Sequence, residues 1–215
     1  MLIRNILEES VRKFDEVKAV KWLKKKEIME RSYGELMENV VSTRKGLLAE
    51  GFEGKHIALI GTSSVEWMES YLGIITGCTT AVPLDAALPC EDLIDLLNRS
   101  DSVALFLSPK LKPYLDAFLE NCPKLQKVWM LQEEVEDAPA KVYGIGELRN
   151  AGKSASADSG CPDAEDIATI IFTSGTTGKS KGVMLTQNNL ASNVEAVKIT
   201  AEPGTAVLSV LPIPV

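Results

Sequence analysis

The sequence predicts an α/β fold: a mostly parallel β-sheet flanked by helices. From residue 54 onward, short apolar runs alternate with stretches of helical periodicity. The runs themselves, such as IALI at 57–60 and VALFL at 103–107, are apolar at every position and not at alternate ones. A strand covered on both faces reads that way, and helices packed on both sides of a parallel sheet provide the cover. With 215 residues, 45% hydrophobic and 25% charged, the chain is long enough to bury a core without disulfides or metals.

Taken in order, Ile3, Ile6, Leu7, Val11 and Phe14 fall at helical spacing and predict an amphipathic helix over 3–14. Residues 19–23 and 27–31 predict two short strands. Lys24, Lys25 and Lys26 between them read as a solvated turn, not a docking patch. Ser32 with Glu35 three residues on is a capping box. The helix that follows has Leu36, Met37, Val40, Val41, Leu47 and Leu48 on its apolar face and ends at Gly51. Strands are expected at 56–60, 79–83, 103–107 and 127–131, and helices at 64–76, 89–99 and 110–119, with Pro89 in a first turn.

The segment NAGKSASADSGCP, 150–162, reads as an exposed linker between a sub-lobe at 1–149 and a last segment at 163–215. In that last segment EDIATIIF and GVMLT are strands, 188–200 is a helix, and AVLSVLPIPV is a strand with a Pro-rich end. Stopping there suggests an incomplete chain.

The formal charge of -7 argues against nucleic-acid binding, which draws on an excess of Lys and Arg. Four separated cysteines without a CxxC pair, and one histidine, make no zinc pattern and fit reduced thiols in the cytoplasm. The charged N-terminus is unlike a signal peptide, and no apolar run is long enough for a membrane span.

IIFTSGTTGKSKGV, 170–183, carries the strongest chemical signal. A phosphate requires converging backbone N–H groups, hydroxyls and a cation, and glycines allow the backbone close approach. Gly178, Lys179 and Ser180 nearly complete a Walker A loop, but Thr173 stands where its first Gly belongs. The residues after it read as a strand, whereas a Walker A loop opens a helix. A phosphate-binding connector between two strands and a ligand-free polar hairpin are both open on these grounds. Its length favours the former, because hairpin loops usually need two to five residues.

FTSGTTGKSKGVMLT resembles the signature loop of the AMP-forming acyl-CoA synthetases, the adenylate-forming family, whose pattern is approximately [YF]TSGTTGxPKGV. Only Ser180 departs, standing where the family has Pro, which leaves φ unfixed but removes no ligand. SYGEL, the segment 54–85 and DIATIIFTSGTTG extend the resemblance, the last being closest to fatty acyl-CoA ligases; LPIP near the end lacks the family's His or aromatic.

The resemblance implies the N-terminal part of the large domain of an adenylate-forming enzyme. It implies ATP and Mg2+ as cofactors, a carboxylic acid (fatty or otherwise aliphatic) as substrate, and coenzyme A as acceptor. The hydroxyls of Thr173, Ser174, Thr176 and Thr177, the backbone at Gly175 and Gly178, and Lys181 would hold the nucleotide's phosphates, with Thr176 beside magnesium. Lys181, not Lys179, matches the family's motif lysine. The adenine segment, the acidic magnesium residue, the hinge and the C-terminal domain with its catalytic lysine have no counterpart in 1–215. No catalytic residue is therefore assigned, and the chain by itself is expected to be inactive without that missing portion.

Alternatives are an amino-acid adenylation module of a peptide synthetase, a P-loop NTPase and a non-catalytic binding module. His56, Glu66 and Trp67 read as structural; Glu133, Glu134, Glu136 and Asp137 as a solvated loop; the cysteines as small buried apolar residues.

Overall fold

The computed structural model of the chain describes residues 2–158, 160–173 and 180–198. Helix α1 (Ile3–Phe14) precedes an antiparallel hairpin of β1 (Lys18–Lys24) and β2 (Glu27–Ser32). Then come α2 (Tyr33–Ala49), β3 (His56–Ile60), α3 (Val65–Ile75), β4 (Thr80–Leu84), α4 (Cys90–Arg99) and β5 (Ala104–Leu107). A 3-10 turn (Pro109–Tyr114) runs into α5 (Leu115–Asn121), followed by β6 (Lys127–Met130), β7 (Val142–Gly144) and α6 (Ile145–Ser154). β8 (Ile167–Thr173), β9 (Lys181–Thr186) and α7 (Gln187–Lys198) complete the described elements.

Seven strands form one sheet in the order β7-β6-β5-β3-β4-β8-β9. Every neighbouring pair is parallel except β8 and β9, which are antiparallel. The uniformly apolar strands are explained by cores on both faces. Ile57 and Leu59 of β3 and Phe106 of β5 enter one core with Leu47, Trp67, Ile74 and Leu148 from α2, α3 and α6. Their sequence neighbours Ala58, Ile60, Leu105 and Leu107 enter the other, with Leu93, Leu97 and Phe118 from α4 and α5. Period-two alternation sends adjacent residues to opposite faces, so both faces must be apolar.

The capping box forms as expected: the Ser32 side chain accepts from the Glu35 N–H at 3.2 Å, and the Glu35 carboxylate accepts from the Ser32 N–H at 2.7 Å. Gly51 has a φ of 79°, the left-handed conformation that ends a helix.

Four expectations need correction. Pro89 is the residue before α4, not part of its first turn. The helix expected at 110–119 is split, because Pro113 lies in the 3-10 turn and α5 starts only at Leu115. β7 and most of α6 were not foreseen. The linker expected at 150–162 begins later, since α6 continues through Ser154.

The α6 helix packs tightly on α2. A Cβ built at Gly152 would lie 1.8 Å from the Ser42 carbonyl oxygen, and one at Gly46 would lie 2.4 Å from that of Leu148. Both glycines serve close backbone approach, so Gly152 belongs to the α6 packing and not to the linker.

A buried ionic cluster joins the same helices to the hairpin. Glu69 on α3, fully buried, accepts from Arg149 of α6 at 2.9 Å, from Asn39 of α2 at 3.2 Å and from Arg31 of β2. Burial pushes the Glu69 carboxyl upward, and the Arg149 and Arg31 guanidinium groups pull it back.

Candidate phosphate-binding site

The order of the sheet turns at β3: β4 and β8 lie to one side, β5, β6 and β7 to the other. In open α/β sheets, ligands gather at the carboxyl ends of strands near such a reversal. Thr173, the last residue of β8, stands at that end of the sheet.

β8 is fastened to β4 by hydroxyls. Thr169 donates to the Ala81 carbonyl at 3.1 Å, and Thr80 donates to the Ile167 carbonyl at 2.9 Å. β9 then runs back beside β8, and Thr173 opposes Lys181 as the last pair of the ladder. α7 begins at once. Thr186 and Asn189 cap it reciprocally at 3.0 and 3.2 Å, and the Gln187 amide donates to the Ile75 carbonyl at 2.7 Å.

Of the residues expected to hold phosphates, Thr173 and Lys181 are thus brought opposite each other, both exposed. Ser174, Gly175, Thr176, Thr177 and Gly178 lie outside the described residues, and so do Lys179 and the magnesium assignment to Thr176. Lys181 opens a strand, not a helix. A Walker A loop, whose glycines lead into a helix, does not fit that arrangement. The donor set fits a polyphosphate: an exposed ammonium and an exposed hydroxyl flank a segment rich in glycines and hydroxyls.

Arg99, at the end of α4, was not foreseen. Its Nη2 donates to the Ser180 carbonyl at 2.6 Å, its guanidinium lies 5.5 Å over the Phe172 ring, and its Nη1 pairs with Asp95 at 3.0 Å. It therefore fixes where the chain re-enters the sheet. In sequence it looks like any basic residue in a last helical turn, favoured there by the helix dipole.

Of the residues read as structural, His56 and Trp67 are held within the fold. His56 Nδ1 donates to the Ser100 carbonyl at 2.7 Å. The backbone N–H of Trp67 donates to the Ser64 hydroxyl at 3.1 Å, and its ring is buried. Glu133, Glu134, Glu136 and Asp137 are exposed, and Glu133 also pairs with Arg149 at 3.3 Å. The cysteines are more varied than expected. Cys122 is buried and its thiol is pushed up to about 11, chiefly by burial, but Cys78 and Cys90 are half-buried and Cys161 is exposed. Exposure of Cys161 corrects the reading of all four as core residues.

A family model described as "AMP-binding enzyme" matches residues 7–214. Among curated proteins, the chain is 30% identical over 192 residues to "Long chain acyl-CoA synthetase 7, peroxisomal" of Arabidopsis thaliana, covering 85% of this chain and 27% of that protein. It is 31% identical over 185 residues to "Long-chain-fatty-acid--CoA ligase 5" of Rattus norvegicus, covering 80% and 27%. The chain therefore spans about a quarter of the length of these curated relatives. Among solved structures, the coronafacic acid ligase of Pectobacterium brasiliense superposes with a TM-score of 0.80 at 20% identity, covering 95% of this chain and 39% of that one.

Proposed function

Because the chain belongs to the AMP-binding enzyme family, we propose that it forms the N-terminal part of an ATP-dependent acid–thiol ligase that activates a fatty acid. ATP supplies an adenylyl group to the carboxylate, with departure of pyrophosphate, and the acyl group then passes to the thiol of coenzyme A. The observation that carries the reading is the strand-to-strand connection closed by Thr173 and Lys181. A strand after the glycine-rich segment is what distinguishes this use of the motif from a P-loop NTPase.

The work of this region is electrostatic. Negative charge grows on the pyrophosphate as it leaves, and an ammonium with several hydroxyl and amide donors placed beforehand stabilises it without reorganisation. Lys181 supplies the cation. Thr173, Ser174, Thr176 and Thr177 supply hydroxyls, Gly175 and Gly178 allow the backbone to approach, and the Thr176 hydroxyl would meet the magnesium ion that accompanies ATP. Arg99 acts through the backbone of Ser180 as a positioning residue. A fatty acid is preferred as substrate because both curated relatives carry long-chain acyl or fatty-acid names.

ATP–pyrophosphate exchange with fatty acids of increasing length, on the full-length protein, tests the reading. Lys181→Ala should lower exchange about 100-fold, the usual loss of one transition-state donor, and Lys179→Ala should leave it near the parent value. Formation of ADP, or the opposite ranking of the two lysines, would overturn it.

A further inference from the structure

We propose that the tip of the β1–β2 hairpin is a docking surface for an anionic lipid bilayer, an inference independent of the activity proposed above. In the hairpin Leu23 faces Ile28, and Trp22 faces Met29. Strand alternation sends these two pairs to opposite faces. The Trp22 face turns toward the body of the protein: Arg31 lies 5.5 Å over the Trp22 ring and reaches the buried Glu69. The Leu23–Ile28 pair has no such cover. At 71% and 74% exposure, these two are more exposed than any other large apolar side chain among the described residues.

Cations surround that apolar pair. Apart from the inward-facing Arg31, five lysines (Lys18, Lys21, Lys24, Lys25 and Lys26) stand against Glu27 and Glu30 in the hairpin, in a chain whose overall charge is -7. Lys18 and Lys21 pair with Glu30 at 3.4 and 3.3 Å. Lys24, Lys25 and Lys26 have no ion-pair partner among the described residues. Lys25 and Lys26 also adopt φ values of 48° and 71°. Two consecutive left-handed residues in a two-residue hairpin turn normally call for Asn-Gly or Gly-Gly. Lysine is poorly suited to that backbone, so local conformation does not explain its presence, whereas its charge can.

From the sequence these lysines look like a solvated turn and nothing more. Placement of Leu23 and Ile28 beside them changes that reading. Lysines on edge strands also discourage strand-to-strand aggregation, but that role leaves the exposed apolar pair unexplained. A nucleic acid or an acidic protein would engage the lysines and make poor use of the aliphatic pair. An anionic bilayer matches both, with phosphate headgroups for the ammonium groups and the acyl boundary for Leu23 and Ile28.

The test is co-sedimentation of the full-length protein with vesicles of phosphatidylcholine alone or with added phosphatidylglycerol. Binding is expected to the anionic vesicles only, and salt should reverse it. Combining Lys24→Gln, Lys25→Gln and Lys26→Gln should weaken partitioning by about 100-fold, near fivefold per lysine. Leu23→Ser with Ile28→Ser should weaken it by at least ~10-fold. All five side chains are exposed, so circular dichroism should report an unchanged fold. Equal binding to neutral vesicles, absence of binding, or indifference to both sets of substitutions would overturn the proposal. So would a lysine variant that self-associates while still binding vesicles as the parent does.

Discussion

Cys122 shows how a single buried group sets a response to pH. Its thiol is raised from 9.0 to about 11 because burial disfavours the thiolate. Between those values the unfolded chain ionises this group and the folded chain does not, so the unfolded state gains. The contribution to stability is complete below pH 9 and is lost as the pH rises through about 11. Denaturant titrations across that interval should show an alkaline loss of stability that is shallower in Cys122→Ala. In the native chain Cys161, exposed, should react with a thiol reagent ahead of Cys122, which should react only on unfolding.

At the scale of elements, the α2–α6 contact depends on missing side chains. Gly152→Ala would force a methyl group against the Ser42 carbonyl, and overpacking of this kind costs ~1–3 kcal/mol. A lower thermal midpoint is expected for it, with little change for Lys153→Ala, whose partner Glu38 is exposed. The same contact explains where sequence reading failed. Helix α2 and strands β3, β4 and β5 were legible because caps and apolar patterns are local. β7 and α6 were not, because Gly144, Gly146 and Gly152 are required by neighbours distant in sequence and look locally like linker residues. The two ends of the candidate site, Thr173 and Lys181, were legible from a motif. Arg99 was not, since its target is a backbone carbonyl that carries no sequence signature.

Across the whole molecule, Glu69 ties the hairpin to three helices. Glu69→Ala would leave buried Arg149 with only the exposed Glu133 carboxylate and release Arg31, and breaking a buried pair from one side costs ~3–5 kcal/mol. Urea titration should show a loss of that order, smaller for Glu69→Gln, which keeps an acceptor but not the charge. The closing pair of the β8–β9 ladder has another consequence. The chain leaves the sheet at Thr173 and re-enters at Lys181, the two residues of a single rung. Any anion captured between them meets a segment whose end-to-end separation is set in advance, so loop-closure entropy is borne by folding and not by binding. An insertion between Thr173 and Lys181 would leave the ladder intact yet spread the segment's donors over a wider arc, loosening the grip without disturbing the fold.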